Sequence, residues 1–162
     1  MNKTLLFLLS ALITITMACN QPEPSDVTGL WKLHTMEVKD SLTGKWSEFR
    51  DGMQGYLLYD SEDNVALHLI KKGYENRKDK FRNFTDTMSL DKLKHITGNY
   101  NYIGKYSVNE DIVSHHRLSH SNPNDWGVTV ERRFKFSADT LIIKPVEEKN
   151  ARLRLKWLRD QK

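Results

Sequence analysis

From residue 29 onward, apolar and polar residues alternate in short runs, as they do in strands that are buried on one side. In the clearest run, the even-numbered positions include Val128, Val130, Phe134 and Phe136, and polar residues occupy most of the odd-numbered positions. Leucine and tryptophan alternate with arginine and lysine along 152–158. Turn residues separate the runs and mark the strand ends. The predicted strands are 29–38, 53–59, 65–70, 101–108, 111–118, 126–136, 140–144 and 152–158.

Eight short strands with closely spaced turn signals are typical of an all-β sandwich or barrel. Their short connections require antiparallel pairing between neighbours. Closing such a sheet on itself removes the exposed edges that would otherwise pair with other chains. We therefore expect one antiparallel barrel.

The segment 71–97 breaks this rhythm and is long for a connection between two strands. Met88, Leu93 and Ile96 fall on one side of a short helix predicted over 86–96. Two interpretations remain open, because periodicity does not separate them. The helix either forms a lid over the barrel mouth or packs against the core.

The N-terminal segment has the pattern of a bacterial secretory signal. Lys3 precedes an apolar run over 5–15, and the small residue Ala18 precedes Cys19. The run is shorter than the roughly 20 residues that span a bilayer. The sequence Thr16-Met17-Ala18-Cys19 resembles a lipobox, although a large aliphatic residue is usual where Thr16 stands. We predict a signal peptide over 1–18, lipidation of Cys19 with palmitate or a similar chain, a tether over 19–27 and one domain over 28–162.

Composition narrows the classes of partner. Cys19 is the only cysteine among 162 residues, so the domain contains no disulfide. The net charge of +4 comes from basic and acidic residues that are mixed along the chain. We found no nucleic-acid-binding motif and expect no nucleic-acid partner. We expect a monomer that meets the membrane through its lipid anchor, in the bacterial cell envelope. Asn20 is not the aspartate of an inner-membrane retention signal, which favours the outer membrane.

Several short motifs, taken in order, resemble the bacterial lipocalin-like domain family. They are Gly29-Leu30-Trp31-Lys32-Leu33, Gly55-Tyr56-Leu57-Leu58-Tyr59, Gly104-Lys105-Tyr106-Ser107-Val108, His115-His116, Asn122-Pro123-Asn124 and Arg132-Arg133-Phe134. The resemblance implies an eight-stranded antiparallel up-and-down barrel with an apolar interior that holds one small ligand. It also implies that Trp31 closes the barrel floor.

Arg132 is the most informative polar residue, because alternation places it on the apolar face of its strand. A guanidinium in that position must be paired, since an unpaired buried charge is costly. It either binds a ligand carboxylate through two hydrogen bonds or stacks on Trp31 at the floor. We favour stacking. A register slip of one residue would place Arg133 inside instead.

His115 and His116 are adjacent on a strand, so they point to opposite faces and cannot bind one metal ion together. We expect no metal site and no cofactor. We assign His116 to the lumen, on the face that also carries Ile112 and Leu118. The candidate lumen residues are Arg132, His116, Tyr102, Tyr106, Tyr59 and Phe134.

These patterns favour a binding protein for a small hydrophobic molecule. An enzyme that isomerises or hydrolyses a hydrophobic substrate is the first alternative, and it would need His116, Arg132 and a carboxylate or tyrosine in one pocket. The second is a structural or interaction lipoprotein with a filled barrel. The sequence lacks a Gly-x-Ser-x-Gly elbow and a phosphate-binding glycine loop, and we assign no catalytic residue.

Overall fold

The computed structural model describes residues 26–49, 52–76, 89–90, 97–147 and 152–160. These residues form nine strands and a few short turns of 3-10 helix. The strands are β1 (Gly29–Lys39), β2 (Trp46–Glu48), β3 (Met53–Tyr59), β4 (Asn64–Lys71), β5 (Tyr100–Asn109), β6 (Ile112–His120), β7 (Thr129–Ser137), β8 (Thr140–Pro145) and β9 (Leu153–Arg159).

The sheet closes into an eight-stranded antiparallel barrel. Strands β3 to β9 pair in chain order, and β1 pairs with both β3 and β9. The short strand β2 pairs only with residues 37–39 of β1, beyond the stretch that contacts β3. It therefore extends one side of β1 and adds no ninth member to the ring. The predicted fold class is confirmed.

Most predicted strands agree with the structure to within a few residues, with two differences. Strand β2 was not predicted. Strand β7 begins at Thr129 and not at Trp126, because a 3-10 turn at Pro123–Asp125 and Gly127, with a φ of 73°, interrupt the extended chain. The predicted helix over 86–96 lies outside the described residues apart from 89–90. Its role as a lid or as a packing helix therefore stays a prediction. No described helix is long and apolar enough to cross a membrane.

One end of the barrel, which we call the closed end, is filled by large side chains. It contains the start of β1, the end of β3 and the end of β9. Burying each of these side chains contributes about 1.5 to 3 kcal/mol. The hydrophobic residues that are at most 2% exposed are Val27, Trp31, Leu57, Tyr59, Val65, Val113, Leu141 and Trp157.

Trp31 is the centre of the closed end and is 1% exposed. Its indole nitrogen donates a hydrogen bond to the carbonyl oxygen of Val27 over 2.7 Å. The guanidinium carbon of Arg159 lies 4.4 Å from the centre of the indole ring, and Arg159 also donates to the carbonyl oxygen of Thr28 over 2.8 Å. This cation–π contact and these hydrogen bonds tie the last strand to the segment that enters the first.

Two strand pairs contain an extra residue. His34 has no partner between Leu33 and Thr35 in the pairing of β1 with β9. Leu118 has none in the pairing of β5 with β6, where Gly104 lies opposite Arg117. A β-carbon at Gly104 would lie only 2.0 Å from the carbonyl oxygen of His116. Gly104 is therefore required by the close approach of two backbones.

We expect Gly104→Ala to lower the free energy of unfolding by about 3 kcal/mol, because a backbone carbonyl cannot move aside without breaking the β5–β6 pairing. Urea denaturation measures this loss. Gly127→Ala is the control: its methyl group would meet nothing within 4 Å, and the φ of 73° costs about 1 kcal/mol. Equal losses in the two variants would contradict the close-approach explanation.

Candidate ligand-binding cavity

A cavity of about 290 Å³ occupies the end of the lumen opposite Trp31, which we call the open end. It lies between the inward faces of β1, β3, β4, β5, β7, β8 and β9. Its size is near the lower limit for pockets that bind small molecules. The lining residues are Met36, Phe49, Met53, Leu67, Leu69, Gly98, Tyr100, Tyr102, Arg132, Pro145, Leu153 and Leu155.

Among the described residues, Arg132 is the only basic one that lines this cavity. It lies on β7 opposite Val113 of β6 and Pro145 of β8, and its side chain is 19% exposed. Its Nη1 donates to the carbonyl oxygen of Glu131 over 2.8 Å and lies 3.3 Å from each carboxylate oxygen of Glu147. The cavity thus combines an apolar wall with one fixed positive charge.

A second arginine, Arg117, also points inward but is enclosed. Its side chain is 3% exposed, and its Nη1 lies 2.8 Å from a carboxylate oxygen of Asp125. The guanidinium lies 5.3 Å from the centre of the Tyr102 ring and 5.8 Å from that of Tyr100. Arg117 is thus paired and covered by aromatic rings, so it holds the wall together and does not line the cavity.

A chain of three hydrogen-bonding side chains crosses the lumen beneath the cavity. Nε2 of His115 lies 2.7 Å from the hydroxyl of Tyr59, and Nδ1 lies 2.6 Å from the hydroxyl of Tyr102. His115 is 2% exposed, Tyr59 is fully buried and Tyr102 borders the cavity. Both ring nitrogens of a buried histidine are thereby satisfied by neutral partners.

Burial sets the protonation of this chain. It lowers the pKa of His115 to about 3, and the positive charges of Arg132 and Arg117 act in the same direction. Burial also raises the pKa of Tyr59 and that of Tyr102 above the usual value for a phenol. All three side chains are therefore neutral near pH 7.

The structure brings two of the predicted lumen residues, Arg132 and Tyr102, to the cavity. Tyr59 and Phe134 lie in the packed core and do not line it. Tyr106 is half-buried at the closed end, where its hydroxyl donates to the carbonyl oxygen of Asp60 over 2.9 Å. These three residues support the barrel and have no access to the cavity.

The assignment of His116 to the lumen is wrong. His116 is exposed on the outer face and its Nδ1 lies 3.0 Å from the hydroxyl of Thr129, while His115 points inward. On β6 the buried, inward-pointing side chains along 113–117 are those of Val113, His115 and Arg117. The sequence offered no clear signal, because Ile112 and Leu118 make the opposite parity look more apolar.

The interpretation in which Arg132 stacks on Trp31 is also wrong. Arg159 occupies that position, and Arg132 lies at the other end of the lumen. The alternative register with Arg133 inside is excluded too, since Arg133 is exposed and pairs with Asp111. Alternation correctly placed Arg132 inside, but it could not tell which end of the barrel this position reaches.

A second depression of about 470 Å³ lies between β3, β4, β5 and β6. Most of its lining consists of outward side chains such as Tyr56, Leu58 and Ile103, which are 42%, 40% and 61% exposed. This depression is open to solvent along the outside of the sheet, so the enclosed cavity is the better candidate site. Within the described ranges, no group of histidine, cysteine, aspartate and glutamate residues could hold a metal ion.

Comparison with known proteins agrees with the fold. A family model described as a lipocalin-like domain matches residues 28–159. No curated protein matches the chain.

The buried His115 predicts a loss of stability in mild acid. Its folded pKa of about 3 lies below the unfolded value of 6.5, so the unfolded chain takes up the proton first. The stabilisation is complete above about pH 6.5 and is lost as the pH falls toward about 3. We expect the free energy of unfolding to fall by about 1.5 kcal/mol between about pH 6.5 and pH 5.

Urea denaturation across this range tests the prediction, since carboxylates remain mostly ionised down to about pH 5. His115→Gln should reduce the dependence on pH, and a smaller dependence should remain from His120, because burial lowers the pKa of that imidazole too. His116→Gln, which changes the exposed neighbour, should keep the slope of the unchanged protein. An unchanged slope in His115→Gln would refute the assignment.

Proposed function

The chain belongs to the lipocalin-like domain family, and on that premise we propose that its barrel binds one small hydrophobic molecule in the cavity at the open end. The observation that carries this proposal is an apolar space of about 290 Å³ inside a closed barrel whose other end is packed. Eight-stranded barrels have an interior just large enough for a single small ligand.

The cavity also distinguishes this function from the alternatives. A purely structural barrel would be filled by side chains at both ends, whereas the described residues pack the closed end and leave a cavity of about 290 Å³ at the open end. The predicted catalytic set required His116 and Arg132 in one pocket, but His116 is on the outside of the wall. Binding therefore accounts for the open end better than either alternative.

We also propose that the protein is a monomeric lipoprotein of the bacterial envelope, attached through Cys19. The support comes from the sequence, in which a basic start, an apolar run and Ala18 precede this cysteine. Asn20 in the following position favours the outer membrane. The segment 19–27 would then act as a short tether between the membrane and the barrel.

Filling the cavity should abolish binding. Leu155 lines the cavity, and we expect Leu155→Trp to weaken binding of the uncharged dye 1-naphthylamine, which is small enough for this cavity, at least about tenfold, because the indole occupies the space of the ligand. Dye fluorescence on titration with protein measures the affinity, and urea denaturation checks that the variant is folded.

Leu158→Trp is the matched control. Leu158 lies on the same strand but is 40% exposed on the outer face, so this change should leave dye binding within about twofold. An unchanged protein that does not bind the dye, or equal losses in both variants, would contradict binding in the lumen.

The lipid anchor has its own test. Cells that express the full chain with labelled palmitate should incorporate label into the protein, and Cys19→Ser should abolish incorporation because it removes the only thiol. The variant should also move from the membrane fraction to the soluble fraction. Unlabelled wild-type protein would overturn the proposed anchor without affecting the proposed ligand.

A further inference from the structure

We propose that the cavity selects an amphipathic monocarboxylic acid, with the carboxylate held by Arg132 and the hydroxyl of Tyr102, and with an unbranched chain of about eight carbons in all. This inference rests on the proposed function and specifies the ligand class for the same cavity. Three features of the described structure support it.

The first feature is the incomplete pairing of Arg132. Charge-assisted hydrogen bonds are usually about 2.7 to 2.9 Å long. The two contacts to Glu147 are 3.3 Å each, and the Glu147 side chain is 38% exposed. All hydrogen bonds of Arg132 to described residues use Nη1. Nε and Nη2 therefore remain for a planar carboxylate, whose two oxygens match the fork of a guanidinium.

The contrast with Arg117 strengthens this argument. Arg117 has a carboxylate partner at 2.8 Å and two tyrosine rings against its guanidinium. The Asp125 carboxylate compensates the charge of Arg117 within the wall, although the buried Nε of Arg117 has no hydrogen-bond partner among the described residues. Within the part of the chain that the structure describes, only Arg132 presents a positive charge to the apolar space, and an anion that enters this space would gain a strong contact in a low-dielectric environment.

The second feature is a count of hydrogens in the chain Tyr59–His115–Tyr102. Neutral His115 carries one N–H, and each tyrosine carries one O–H, so three hydrogens serve two hydrogen bonds. One hydroxyl hydrogen is left over in either tautomer. It belongs to Tyr102 when Nδ1 of His115 carries the proton, and to Tyr59 when Nε2 does.

The positions of the two tyrosines determine whether a ligand could accept a hydrogen bond from the unpaired hydroxyl. Tyr59 is fully buried and borders no cavity, whereas Tyr102 lines the open space. A buried donor without an acceptor costs about 1 to 3 kcal/mol. A ligand oxygen beside Tyr102 would supply the acceptor and favour the tautomer with the proton on Nδ1. The head group is thus expected to receive hydrogen bonds from both Arg132 and Tyr102.

The third feature is the size of the cavity. At about 30 Å³ for each small group, the volume that one water molecule occupies in the liquid, 290 Å³ holds about ten non-hydrogen atoms. The remaining wall is formed mainly by leucine and methionine, among them Met36, Leu67 and Leu155. This space fits a medium-length alkyl chain with one polar end.

Isothermal titration calorimetry of the folded domain with octanoate and with 1-octanol at pH 7 tests the proposal. We expect octanoate to bind at least about tenfold more tightly than octanol, because only the carboxylate is paired by Arg132. Arg132→Gln should reduce this ratio at least about tenfold. Arg133→Gln is the matched control, since it removes an exposed arginine from the adjacent position of the same strand and should keep the ratio.

A second variant keeps the test decisive if Arg132→Gln does not fold. Glu147→Gln removes the carboxylate that competes for Arg132, so it should tighten octanoate binding about threefold or more. The ¹⁵N spectrum of His115 should shift toward the Nδ1–H tautomer when octanoate binds.

The outcomes separate the two proposals. If neither octanoate nor octanol nor the uncharged dye binds, the proposed function fails. Four results would overturn the carboxylate assignment while leaving the barrel a binding protein. Octanol could bind as tightly as octanoate, or Glu147→Gln could leave octanoate binding unchanged. Arg132→Gln could keep the ratio of octanoate to octanol affinity, or Arg133→Gln could lower that ratio equally.

Discussion

The pairing of β1 with β9 is the constraint on which the rest of the structure depends, because it turns a meander of hairpins into a ring. Once the ring is closed, every strand has an inner and an outer face, and side chains must alternate between them. The extra residue at His34 lets β1 keep Trp31 and Met36 inside although they differ in parity. The packed closed end and the cavity at the open end are both consequences of this closure.

The two ends of the lumen differ in how their polar groups are satisfied. At the closed end the indole of Trp31 has a carbonyl partner and Tyr59 is hydrogen-bonded to His115, although the indole nitrogen of Trp157 has no partner among the described residues. Toward the open end Arg132 has only long contacts to a carboxylate that is partly exposed. Of these groups, Arg132 is the one that carries a charge and lines the cavity, so a ligand could complete its pairing.

Much of the fold could be predicted from alternation and turn residues, because a half-buried strand imposes a period of two. Strand β2 was missed because three residues carry no detectable period. His115 was missed because both parities of β6 contain aliphatic residues, and the loop before β7 does not reveal the register between the two strands. Arg159 could not be placed near Trp31 from the sequence, since their contact exists only after the ring has closed.

The contact between Arg159 and Trp31 also fixes where the chain enters and leaves the barrel. Asp26 and Asp160 both lie at the closed end, where the amide of Asp160 donates to the carbonyl oxygen of Leu30 over 2.9 Å. A surface attached ahead of Asp26 would therefore lie beneath the sealed base, while the entrance to the cavity points the opposite way. In that orientation a bound ligand would exchange with the surrounding aqueous phase and not directly with the surface that holds the barrel.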